Sequence, residues 1–126
     1  MSASATGSKA FDKLKAILQE HAPQLKVAND EPRFYMLHTN VIFRRKKLHH
    51  FGVVLVTDEV VRLTLSGLFR YHDLREQMSA ELREHDRDGT CFVFQANGAE
   101  LTDSLLTELA GLVKAYFDRM KQQGRA

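Results

Sequence analysis

Two β-rich runs separated by only two polar residues constrain this chain more than any other feature. Residues 51–57 (FGVVLVT) are apolar or β-branched almost throughout, and Val60–Leu65 (VVRLTL) follows directly after Asp58-Glu59. That spacing predicts an antiparallel hairpin, although Asp-Glu is not among the favoured turn pairs. The first run is apolar on both of its faces and is expected at the centre of a sheet. In the second, Val61, Leu63 and Leu65 alternate with Arg62 and Thr64. One polar face places that strand nearer an edge.

The flanks supply helices and further strands. Phe11, Leu14, Ile17, Leu18 and His21 fall on one helical face, so a helix is expected from a Ser8 cap to His21, stopping before Pro23. Asn29, Asp30, Glu31 and Pro32 predict a turn-rich break, and residues 33–39 a strand with a bend or bulge at Asn40 before 41–43. Beyond Ser66-Gly67, the spacing of Tyr71, Leu74, Met78 and Leu82 predicts a helix over 73–86, jointed at Ser79 and ended by Asp88-Gly89. Residues 90–95 (TCFVFQ) read as a short strand. Asn97 and Glu100 have capping-box spacing before a last helix that runs to about Gln122. The order predicts an α+β domain of two layers, with a mainly antiparallel sheet of four to five strands packed against N-terminal, middle and C-terminal helices. A single domain over 8–126 is expected, behind a disordered tail at 1–7.

Composition removes whole classes of function. The 126 residues are 44% hydrophobic and 27% charged with a net charge of +2, which excludes fibrous, disordered and polyelectrolyte chains. The single cysteine, Cys91, excludes an internal disulfide and a multi-cysteine metal knuckle. No apolar run approaches the ~18 residues of a membrane span. The first residues, MSASATGSKAF, have no apolar signal core, so a cytoplasmic address is expected.

The most distinctive surface signal is basic. Residues 33–57 hold five Lys/Arg and no acid, whereas the rest of the chain is net negative. Arg44, Arg45, Lys46 and Lys47 should lie on a loop or hairpin tip, near His49 and His50. Cations beside rings suit phosphate contact and base stacking, which makes this segment the candidate surface for nucleic acid or another anionic partner. Lysines that block edge-to-edge pairing are the plainer explanation. His49 and His50 are adjacent and should point to opposite faces of a strand; His38 could meet His50 across a hairpin, but the sequence does not set that register. Cys91 shares a strand face with Val93, a packing arrangement, and a thiol-dependent enzyme is the weaker alternative. The nucleophile-elbow, phosphate-loop and dinucleotide-binding motifs are missing, so a non-catalytic binding or adaptor module is expected ahead of an enzyme, with no cofactor. The wide apolar stripe of the last helix could support a dimer, but a monomer is expected ahead of a homodimer.

Phe51-Gly52-Val53-Val54, Ser79-Ala80-Glu81-Leu82 and Gly89-Thr90-Cys91-Phe92-Val93-Phe94 occur in an order that resembles the small bacterial proteins related to YdhG, over residues 51–117. Residues 63–69 (LTLSGLF) lack the proline of that family's corresponding segment, and Val93 stands where it has an asparagine. The resemblance implies an α+β fold, and frataxin-like iron delivery as one activity described among its relatives. Iron delivery would require hard carboxylates gathered on one surface. The acid-rich stretch 73–88 offers Glu81, Glu84 and Asp88, with Glu84 and Asp88 expected on one helix face; interleaved arginines make a solvated, ion-paired face the plainer reading.

Overall fold

The computed structural model describes residues 9–43 and 47–124, and the side chains of all of these except 40–43 and 47–49. Helix α1 (Lys9–Gln19) leads through a 3-10 turn (Ala22–Gln24) into strands β1 (Lys26–Glu31), β2 (Phe34–Phe43), β3 (Lys47–Thr57) and β4 (Val60–Leu65). A 3-10 turn (Leu68–Arg70) and the short helices α2 (His72–Glu76) and α3 (Ala80–Arg83) precede β5 (Cys91–Gln95), and α4 (Asp103–Gln122) closes the chain. The five strands form one sheet in chain order, every neighbouring pair antiparallel. The two-layer α+β architecture expected from the sequence is present, with the doubly apolar run of β3 at its centre.

One face of the sheet builds the core. Tyr35, Leu37, Val54, Val56, Val61, Leu63, Leu65, Phe92 and Phe94 point to the same side and are buried with Leu14 and Leu18 of α1 and with Leu105, Leu109, Val113, Tyr116 and Phe117 of α4. Gly52 lies under α1: a Cβ there would come within 3.2 Å of Leu18 Cδ2, so a side chain would require the Leu18 tip to give way by a few tenths of an ångström. His21 is buried on this side too, its ring 4.8 Å from that of Phe117. Lys15 ties α1 to the edge strand through an ion pair with Asp30 at 2.7 Å.

Three expectations are corrected. Asn29, Asp30 and Glu31 are strand, not a break. Their poor β-propensity is overridden by pairing with Met36, Tyr35 and Phe34, at an edge where exposed polar side chains are tolerated. The middle helix ends at Arg83 rather than 86, divided into two short helices at the joint expected from the sequence. The joint falls at Ser79, whose hydroxyl caps α3 by accepting from Leu82 N–H, while Glu108 of α4 accepts from both the Ser79 N–H and its hydroxyl at 2.7 Å. Helix α4 starts from Thr102, which caps Leu105 N–H; Asn97 and Glu100 instead serve the preceding turn, accepting from Ala99 N–H and Gln95 N–H. The tail 1–7 and the Ser8 cap lie outside the described residues.

The hairpin turn between β3 and β4 bears the cost foreseen for Asp-Glu, since Asp58 takes a left-handed φ of 53°. Midway along β3, the buried hydroxyl of Tyr116 donates to Phe51 O and accepts from Gly67 N–H, both at 2.9 Å. Burial pushes its phenol well above the usual tyrosine range, so it stays a neutral donor. Tyr116→Phe should cost about 1–3 kcal/mol by leaving the Gly67 N–H unpaired, read as a lower urea midpoint at unchanged slope. A midpoint equal to wild type would show that the bond contributes nothing net.

Candidate binding face

The other side of the sheet is the candidate functional surface. Strand register arranges its side chains in rows. Glu31, Phe34, Leu55, Arg62 and Val93 form one; Asn29, Met36, Val53, Thr64 and Cys91 form the next; Lys26, His38 and His50 form the third. Phe34, Met36, Val53, Leu55 and Val93 are all half-buried, and none belongs to the buried core cluster, which gathers the residues of the helices on the opposite face. An antiparallel sheet face turned to water usually carries polar residues. An apolar face left without a described helix over it is therefore the informative feature.

A bulge decides what that face presents. Leu37 pairs with Gly52, but the next residue, His38, pairs with His50, leaving Phe51 as the extra residue on β3. Strict alternation from Val54 would put Phe51 on the open face and His50 in the core. The extra residue reverses that parity, so Phe51 is fully buried and His50 stands exposed beside His38. The two imidazoles stack with centroids 4.8 Å apart and planes 10° from parallel. His38 Nε2 also lies 3.2 Å from Met36 Sδ. Partial burial, reinforced by His50, lowers the His38 pKa from its ordinary value.

The structure places the sequence-derived candidates unevenly. Arg44, Arg45 and Lys46 lie outside the described residues, as do the side chains of Lys47 and His49. The backbones flanking the run pair Ile42 with Leu48 and Phe43 with Lys47, and the irregularity expected near Asn40 falls between His38 and Ile42. His50 is on the open face, next to His38. That pairing was raised by the sequence, but its register was not legible there. Phe34, Met36, Leu55 and Arg62 were not singled out, and only their alternation with core residues could have marked them.

The carboxylate triplet is not assembled on a helix. Helix α3 ends at Arg83, so Glu84 caps it and Asp88 lies beyond, in the loop before β5; the expected shared helix face does not exist. Asp88 Oδ1 accepts from Thr90 N–H, the Thr90 hydroxyl and Cys91 N–H, and the Thr90 bonds chiefly hold its pKa below the usual carboxylate range. Among the described residues, no three His, Cys, Asp or Glu side chains gather to hold a metal ion. Cys91 is buried and belongs to the open-face row rather than to the main core cluster. A concavity of about 270 Å³ beside α2 and α3 is lined by His72, Arg75, Glu76, Met78, Arg83 and Asp86, and Arg83 there is committed to the Met78 and Glu76 carbonyls. No described helix is long and apolar enough to cross a membrane.

The two lowered histidines give the fold a defined acid sensitivity. Burial chiefly depresses His21, and burial then His50 depress His38. Unfolded histidines take up protons near pH 6.5, before the folded ones do, so the unfolded state binds more protons and stability falls as pH drops from about 7 towards 5. Urea unfolding across that range should show the decline, and His38→Asn should reduce its slope; a flat profile contradicts the assignment. Comparison of the chain with family models, characterised proteins and solved structures finds no match.

Proposed function

We propose that this protein is a non-catalytic binding module that holds a single-stranded nucleic acid across the open face of its sheet. The observation that supports this reading is the apolar sheet face that no described helix covers, on strands that flank the acid-free basic run in the sequence. Phe34, His38 and His50 offer rings to unstacked bases, and rings accept any base because every base has a π-face. Arg62 stands exposed between Leu55 and Val93 in the row that begins beside Phe34. Arg44, Arg45, Lys46 and Lys47 follow β2 directly in the sequence and supply charge for the phosphates. Frataxin-like iron delivery is less favoured, because Asp88 is occupied by three internal hydrogen bonds.

Anisotropy of a labelled single-stranded oligonucleotide at several salt concentrations tests the reading. About five phosphate contacts predict that log K falls with log salt at a slope of roughly −3.5. Alanine at Arg44, Arg45, Lys46 and Lys47 together should flatten most of that slope, and Arg62→Ala should remove about 0.7 of it. Phe34→Ala should weaken binding about 5- to 100-fold at every salt concentration, as expected for one lost stacking platform. Binding that is absent at low salt, or indifferent to Phe34 and Arg62, rejects the open face as the binding surface.

A further inference from the structure

The paired histidines, with Met36 of the neighbouring row, form a donor set whose nitrogen and sulfur atoms base stacking leaves unused. We propose that His38, His50 and Met36 bind a soft monovalent transition-metal ion of the Cu(I) class on the open sheet face. His38 and His50 are direct cross-strand partners with rings 4.8 Å apart, and Met36 Sδ already touches His38 Nε2 at 3.2 Å. Two imidazoles and a thioether therefore lie within one side chain's reach of each other.

The surroundings select the ion. Asn29, Met36, Val53, Thr64 and Cys91 make one row and Lys26, His38 and His50 the other, so neither carries a carboxylate. The nearest carboxylate of β1, Glu31, comes from the neighbouring row and is engaged by Asn29 Nδ2 at 3.0 Å, whereas thioether sulfur favours soft Cu(I). Lys26, across from His38, adds a positive charge that further disfavours a divalent guest. His38 is half-buried and His50 exposed, so an ion held between them is reached directly from solvent. Cys91 stands three strands from Met36, about 14 Å at ordinary strand spacing, and so is not a ligand.

Titration with Ag(I), a redox-inert probe for Cu(I), tests the site in the full chain carrying Cys91→Ser, which removes the competing thiol. One equivalent should bind, with the ring nitrogens of His38 and His50 shifting in nitrogen-detected NMR while those of His72 and His85 stay put. His50→Ala, at an exposed position that leaves the fold intact, should lower Ag(I) affinity at least about tenfold, and Met36→Leu should do the same. Wild-type affinity in either variant, or no shift at the His38 and His50 nitrogens, overturns the site. Oligonucleotide binding is scored separately, so the two readings fail independently.

Discussion

The hydroxyl of Tyr116 holds together the part of the molecule on which the rest depends. It joins α4 to the carbonyl of Phe51, the extra residue of the β3 bulge, and to Gly67 at the exit of β4. Ser66 N–H reaches the same Phe51 carbonyl at 3.3 Å. The Phe51 ring stacks on the Tyr116 ring at 4.8 Å and meets Phe117 edge-on at 5.8 Å. The C-terminal helix therefore fixes the conformation of the central strand where its alternation reverses. The anchor adds to the burial of the Phe51 ring, and together they leave His50 on the open face.

From this follows the division of labour between the two faces. The helix-covered face holds the large buried rings and aliphatic side chains, and α4 reinforces it from outside through the Glu108 bonds to Ser79 and the Arg119–Asp73 ion pair. Arg119 holds the Asp73 carboxyl below its usual range, and its guanidinium also lies over the Tyr71 ring. The open face keeps half-buried apolar rows ending in two stacked imidazoles. Its chemistry is adjustable because no helix described here constrains the side chains from above.

Much of the architecture was legible from local pattern. The apolar run 51–57, the alternation in Val60–Leu65 and the leucine spacing of the last helix each reflect a burial period that one sequence reveals. The edge strand β1 was not legible, because NDE carries turn chemistry and becomes strand only through its partner β2. The cap of the last helix was misplaced for a related reason: Asn97 and Thr102 offer the same capping chemistry, and spacing along the chain does not choose between them.

The candidate face divides along the same line. The sequence by itself determined the antiparallel hairpin, the central position of its first strand, the two-layer class and an acid-free basic segment, because all of these follow from residue type and spacing along the chain. Only the tertiary structure decided that His38 meets His50, that Met36 joins them and that Phe51 turns inward. A strand's faces alternate with period two, so one bulged residue reverses every assignment beyond it. The carbonyl of that extra residue is held by Tyr116, sixty-five residues away in the chain.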